Sequence, residues 1–382
     1  MQHFVFSPPE IPQDAEDLRM QVRAFLSREL AGSRPVDLAR SWSGFDADFS
    51  RKMAAEGWIG MTWPKRYGGA ERSSLHRYVV LEELLAAGAP VAAHWIADRQ
   101  SGPLLLRFGS EEQRQEILPR IVAGECFFCI GMSEPDSGSD LAATRTRARP
   151  VDGGYVVNGA KLWTTYAHKS DYMILFCRTG DDEGGRHGGM SQFLVDLTTP
   201  GIEIRPILDL SGAHHFNEVS FTDVFLPTSA LIGKEGDGWD QVMSELAFER
   251  SGPDRFLSTF TLIRELVRAL EGWATPAACE AVGRLVAHLV VLRRLSRSVA
   301  GMLQKGENPT LHAAIIKDLG TLLEQEVPDI ARSLIAAEPS LEATNDFEAV
   351  LAHAILNVPA FSLRGGTREI MRGIIARGLG LR

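Results

Sequence analysis

Three stretches of this chain carry residue types whose spacing could do chemistry. The first is Gly131-Met132-Ser133-Glu134-Pro135-Asp136-Ser137-Gly138-Ser139-Asp140-Leu141. It is a small-residue loop in which backbone amides and hydroxyls can approach a polar, ring-shaped ligand closely. The second is Asn158-Gly159-Ala160-Lys161-Leu162-Trp163-Thr164-Thr165, which puts an indole and two hydroxyls at the end of a hairpin-like stretch. The third is Leu246-Ala247-Phe248-Glu249-Arg250, followed by Pro253. Proline has no N–H, so the carbonyl of Glu249 loses its helical partner and the helix tends to kink there. Each stretch also has a plain reading. A Trp at a strand end is commonly core, a Ser-Gly-Ser run is commonly a turn, and a Glu-Arg pair is commonly an ion pair on a helix surface.

Other clusters are weaker. Cys126 and Cys129 have C-x-x-C spacing, but Phe127 and Phe128 fill the gap and no second pair follows, so they read as buried thiols. His214 and His215 are adjacent, point to opposite faces if extended, and have no Cys or carboxylate to complete a metal set. They read as loop structure or a pocket wall.

The elements that must position these groups follow from periodicity. From about 14 to 125 the pattern is helical, with an amphipathic stretch around Val22, Phe25 and Leu26, a helix from Leu75 to Ala87 stopped by Gly88, and one from Glu111 to Ile121 behind Ser110. Gly57 to Gly69 is a glycine-punctuated loop. From 126 to 234 short β-rich runs take over, at Tyr155–Val157, Tyr172–Phe176, Gln192–Val195 and Glu218–Phe221. Gly180 to Gly189 reads as a polar loop. Beyond 235 long amphipathic segments cover Trp239–Glu271, Ala277–Gln304, Leu311–Ala337 and Asp346–Leu379. The order is α+β: an N-terminal helical domain (1–125), a middle antiparallel β domain (126–234) and a C-terminal four-helix bundle (235–382).

A chain of 382 residues needs more than one core. Its net charge of −9, with no long basic run, argues against a nucleic-acid or anionic-membrane partner. The N-terminus lacks the pattern of a signal peptide and no apolar run is long enough to span a bilayer. Four cysteines without a disulfide-like pattern fit a reducing cytoplasm.

Taken together and in this order, the first two runs resemble the flavin-gripping segments of the acyl-CoA dehydrogenase family. The likeness covers nearly the whole chain and is strongest from Gly57 to Arg250. It implies FAD held between the middle domain and the bundle. Ile130, Met132, Ser133 and Thr367 match flavin-contacting positions, and Ser139 matches one that meets the coenzyme arm of the substrate. By the same resemblance Trp163 packs by the isoalloxazine, and Thr165 hydrogen-bonds near N5, the atom that accepts hydride. The reaction implied is removal of two hydrogens from an acyl-CoA thioester. A carboxylate takes the proton next to the carbonyl, and hydrogen bonds to the carbonyl oxygen make that proton more acidic.

The family usually places this carboxylate just before a Gly-Thr pair near the C-terminus. Here the segment reads Leu363-Arg364-Gly365-Gly366-Thr367-Arg368-Glu369. Gly365 stands at the base position and offers only its N–H, which in the family helps hold the thioester oxygen. Glu369 stands where Gln is usual. A second location for the base is known in the family, immediately before an Arg on the first bundle helix. The resemblance therefore assigns the base to Glu249, with Arg250 beside it on the substrate side.

Two segments that grip a neighbour's FAD in homotetrameric members, Arg-x-x-Phe-Gly and Gln-x-x-Gly-Gly, are missing. The runs Phe216-Asn217-Glu218-Val219 and Glu249-Arg250-Ser251-Gly252-Pro253 look similar to steroid side-chain-degrading members that form mixed tetramers. The expectation is a flavin- and base-bearing subunit of an α2β2 heterotetramer with a second acyl-CoA dehydrogenase-like chain. It would act on a bulky steroid side-chain or branched acyl-CoA and pass electrons to an electron-transfer flavoprotein. A non-catalytic structural subunit and a flavin oxidase or monooxygenase of the same fold are the competing readings.

Overall fold

A computed structural model describes residues 5–180, 185–272 and 275–381, with the side chains of 245–249 outside the description. The chain forms two compact units, each assembled from separated stretches: residues 1–46, 72–92 and 247–382 in the first, 47–71 and 93–246 in the second. In chain order the helices are α1 (Gln13–Glu29), α2 (Pro35–Leu38), α3 (Ala47–Ala55), α4 (Ser74–Ala87), α5 (Ala92–Ile96), α6 (Gly102–Phe108) and α7 (Glu111–Val122). Strands follow: β1 (Phe128–Gly131), β2 (Arg147–Val151), β3 (Gly154–Thr165), β4 (Tyr172–Arg178), β5 (Met190–Asp196), β6 (Ile202–Leu208) and β7 (His214–Pro227). The chain ends in α8 (Gly238–Glu249), α9 (Phe260–Ala269), α10 (Pro276–Gln304), α11 (Thr310–Leu334), α12 (Asp346–Phe361) and α13 (Arg368–Gly378).

The first unit is helical. Its centre is α4, which packs against α1 and α10. Ser73 caps the start of α4, and Gly88 ends it with φ 85°, a conformation that suits glycine at a helix C-terminus. Because α4 is covered on nearly all sides, its two acids are buried, and Glu82 and Glu83 are met by Arg19 and Arg23 from α1 and Arg293 from α10. Burial would raise Glu82, but Arg293 and Arg19 hold it below the usual carboxylate range.

The second unit holds a seven-stranded sheet in the order β1-β4-β2-β3-β7-β6, with β5 on β4. Tyr155, Val157, Met173, Leu175, Phe193, Val195, Val219 and Phe221 meet in its core. Most pairs are antiparallel, but β1 lies parallel to β4, with Ile130 opposite Ile174. Of the polar loop at 180–189, residues 181–184 lie outside the described residues.

Two of the long helices expected from periodicity are broken. The Trp239–Glu271 segment ends at Glu249 and restarts at Phe260, because Pro253 lacks the N–H a helix needs. The Asp346–Leu379 segment breaks between Phe361 and Arg368, where Gly365 (φ 64°) and Gly366 (φ 96°) are left-handed. Both breaks fall beside candidate site residues.

Candidate active site

The flavin-facing residues expected from the sequence lie in the second unit. At Gly131, which ends β1, a Cβ would stand 2.7 Å from Met173 Sδ and 3.1 Å from Lys161 Cγ, so only glycine lets the backbone pass. Ile130 precedes it, half-buried, and Met132 and Ser133 follow. The Ser133 carbonyl accepts a hydrogen bond from Leu162 N–H at 2.8 Å. That bond ties the loop to the end of β3. There the ladder with β7 slips between Lys161 and Thr164, then resumes with Thr164 opposite Asn217 and Thr165 opposite Phe216. Trp163 stands in the irregularity with φ 60°. Its side chain is 55% exposed, edge-on to Phe216 at 5.9 Å. A bulky residue in a sparsely populated backbone region costs roughly 1–3 kcal/mol, and such strain clusters at ligand sites.

Beneath this edge is a feature the sequence reading did not single out. Lys161 is fully buried, and its Nζ donates to Glu134 Oε1 at 2.7 Å, to the Met132 carbonyl at 3.1 Å and to Thr144 Oγ at 3.1 Å. Glu134 also accepts from Arg145 N–H at 2.7 Å, from Thr146 N–H at 3.0 Å and from the Thr144 hydroxyl. Burial alone would raise the Glu134 carboxyl, but the Lys161 charge and these donors bring it down to about 2. Burial lowers Lys161, with Glu134 pulling it back up. The pair staples the loop after β1 to β3 and holds Met132 and Ser133 in place. Period-two alternation was the available signal, since Lys161 falls on the same strand face as Tyr155 and Val157.

The histidines brace the same strand end. His214 stacks on His168 with ring centroids 3.6 Å apart. Both rings reach Asn217 Oδ1, at 2.7 and 3.1 Å, and Asn217 Nδ2 donates to the Thr164 carbonyl at 3.0 Å. Cys126, Cys129 and Cys177 are free, buried thiols, each pushed up to about 12 by burial. Ser139 is exposed on the loop beyond the Glu134–Ser137 turn, whose Ser137 hydroxyl donates to the Asp140 carbonyl at 2.8 Å.

The remaining candidates lie in the first unit. Glu249 closes α8, and its side chain is outside the described residues. Arg250, next in the chain, is buried, and its Nε donates to the Gly365 carbonyl at 2.8 Å. A Cβ on Gly366 would come within 3.3 Å of Arg250 Nη2. The turn is also tied down from α11. Lys317 Nζ donates to the Ser362 carbonyl at 3.0 Å, Arg364 Nη2 to Glu324 Oε2 at 2.8 Å, and Arg368 Nε to Asp318 Oδ1 at 2.7 Å. Glu324 is fully buried; burial pushes its carboxyl up, against the pull of Arg364 and of the Ser258 N–H. Thr367 is the N-cap of α13, its hydroxyl accepting from Ile370 N–H at 3.4 Å. Glu369 is exposed in the first turn of α13, held below its usual range by its own backbone N–H and the Thr367 hydroxyl. The structure therefore groups Met132, Ser133, Trp163 and Thr165 at one edge, and Arg250 with Gly365 at another.

These residues suit the FAD that the sequence resemblance implies. An exposed indole held in a strained conformation beside two hydroxyl-bearing residues offers a flat face and donors, which is what an isoalloxazine ring needs. The sheet core and the Lys161–Glu134 pair keep that edge rigid.

Comparison with known proteins gives the same direction. Residues 12–125 match the acyl-CoA dehydrogenase N-terminal domain, 129–224 the middle domain and 236–380 the C-terminal domain. The chain is similar to acyl-CoA dehydrogenase IpdE1 of Mycobacterium tuberculosis, at 32% identity over 97% of this chain and 98% of that protein. Among solved structures it is similar to the Tcur3481-Tcur3483 steroid ACAD, with a TM-score of 0.86 and 27% identity over 98% of this chain and 99% of that one. It is also similar to the ChsE4-ChsE5 complex from Mycobacterium tuberculosis, with a TM-score of 0.84 and 27% identity over 98% of this chain and 100% of that one. The chain belongs to the acyl-CoA dehydrogenase family and is an oxidoreductase whose cofactor is FAD.

Proposed function

We propose that this chain removes the α-proton and β-hydride of a bulky, steroid side-chain or branched acyl-CoA, giving the 2,3-enoyl-CoA. Glu249 is the base. The observation that carries this reading is the bond from Arg250 Nε to the Gly365 carbonyl. It puts the end of α8 against the turn where the family's usual base would stand, so a carboxylate from Glu249 can serve the place that Gly365 leaves without one.

Ile130, Met132, Ser133, Trp163, Thr165 and Thr367 would hold FAD, and Glu369 stands where a further contact is usual. FAD supplies the acceptor for the hydride. Gly365 N–H donates to the thioester oxygen, which stabilises negative charge as the α-proton leaves for Glu249. Ser139 would meet the coenzyme arm, and Arg250 would stand on the substrate side of the base.

The Tcur3481-Tcur3483 structure is described as a steroid ACAD, which supports a bulky acyl group, and it and the ChsE4-ChsE5 complex each pair two named chains, which supports a heterotetramer with a second acyl-CoA dehydrogenase-like subunit. An electron-transfer flavoprotein is the expected electron acceptor. One observation favours a second reading, a non-catalytic subunit: Gly365 occupies the usual base position.

The test is to purify the protein alone and with its co-expressed partner, measure FAD per chain and native mass, and mix each anaerobically with a branched acyl-CoA. Flavin bleaching with a product two hydrogens lighter supports the enzyme reading. No bleaching in any FAD-loaded form supports the structural one, and rapid reoxidation by air supports an oxidase.

A further inference from the structure

Gly365 lies between two anchored groups. Its carbonyl is taken by Arg250 Nε at 2.8 Å. The residue before it, Arg364, is pinned through its side chain: Nη2 to Glu324 Oε2 at 2.8 Å, Nη1 to Ser258 Oγ at 3.1 Å, and the guanidinium 3.9 Å from the Phe361 ring centroid. The N–H of Gly366 is used by the Leu363 carbonyl at 3.3 Å. Among the described residues, the N–H of Gly365 has no acceptor. A glycine at φ 64° between another left-handed glycine and a flexible arginine would ordinarily sample many orientations. Here the peptide after it is held by the Arg250 guanidinium, and the residue before it is anchored through its own guanidinium.

We propose that Arg250 and Arg364 form a paired clamp that fixes the direction of the Gly365 N–H, so that this donor, which has no acceptor among the described residues, is aimed at the thioester oxygen. The inference rests on the acyl-CoA reading above and adds two positioning residues to it. Arg250 holds the carbonyl side of Gly365, and Arg364 holds the amide side through the buried Glu324 carboxylate. Neither needs to touch the reacting atoms. Their value is orientation, since a donor must already point where charge develops.

The test uses the FAD-loaded protein with 4-methylpent-2-enoyl-CoA labelled with ¹³C at the thioester carbonyl. The bound carbonyl stretch is read by infrared difference spectroscopy, because a hydrogen bond to the oxygen lowers its frequency. Arg364→Met and Arg250→Lys are compared with wild type, each accepted only if its circular dichroism and FAD content match. Wild type should show a lowered frequency. Both variants should return it toward that of the free thioester and lower kcat by roughly 10²-fold, the scale of a misplaced reacting group, with KM changed much less. If Arg364→Met does not fold, Arg250→Lys carries the test, since it keeps the charge and loses the Nε donor. A lowered frequency and unchanged kcat in the folded variants would overturn the clamp while leaving the acyl-CoA reading intact. An unshifted carbonyl in wild type would overturn the reading and the clamp together.

Discussion

Glu134 and Glu324 are both buried carboxylates that meet a cation, yet they titrate in opposite directions. Glu134 is held down to about 2, and Glu324 is raised above its usual value. Burial pushes both up. Glu134 has Lys161 Nζ, the Thr144 hydroxyl and the Arg145 and Thr146 N–H groups around it, and together they outweigh burial. Glu324 has Arg364 and the Ser258 N–H, and burial wins. The end of β3 is thus stapled through a carboxylate that its donors hold in the charged form, whereas the turn at Gly365 is anchored by a carboxylate that burial pushes up.

Substitutions break this comparison in a definite order. Lys161→Met leaves Glu134 buried without its cation, and should destabilise the protein by about 3–5 kcal/mol, read as a lowered urea midpoint. Adding Glu134→Gln should recover part of that loss, because the uncompensated charge is gone. Glu324→Gln should cost less, about 1 kcal/mol, on the scale of one hydrogen bond, since that carboxyl is already biased toward its neutral form.

The pH dependence separates the pairs by sign. For Glu134 the folded pKa lies below the unfolded value of about 4.3. Its stabilisation is complete above that value and is lost as pH falls toward about 2. Glu82, also lowered, acts in the same sense. For Glu324 the folded pKa lies above the unfolded one, so its contribution falls as pH rises from about 4.3. Denaturant titrations from pH 2 to 7 should therefore show a steep acid loss in wild type. Glu324→Gln should leave that loss in place, and Glu134→Gln should flatten it. An effect as small as that of Glu324→Gln is expected from Thr367→Ala, about 1 kcal/mol for a lost helix cap, seen as a small fall in the thermal midpoint.

The candidate site residues read from the sequence are local. Ser133, Trp163 and Thr165 sit in contiguous runs that the family resemblance picks out, and Ser110 and Gly88 mark helix ends where capping rules place them. What the sequence hid is long-range. Lys161 and Glu134 stood in the two informative runs, but a lysine in a strand pattern defaults to solvent. Lys317 and Glu324 lie on the same buried face of α11 as Ala313 and Gly320, and their targets are some forty residues on, at Ser362 and Arg364. The helix breaks at Pro253 and Gly365 were written in the sequence, yet continuous amphipathic patterning on either side read through them. The parallel pairing of β1 with β4 needs a crossover that strand patterns do not encode. The edge strand β6 carries Pro206, a residue tolerated at an edge that weakens the strand signal.

The central claim is that Glu249, and not a residue in the C-terminal turn, takes the α-proton. It is tested most directly by the rate of anaerobic flavin reduction by a saturating acyl-CoA in the FAD-loaded protein, wild type against Glu249→Gln. The account expects a fall of roughly 10²–10⁴-fold, the scale of a lost general base, with FAD content and acyl-CoA binding retained. An unchanged reduction rate in Glu249→Gln would contradict it.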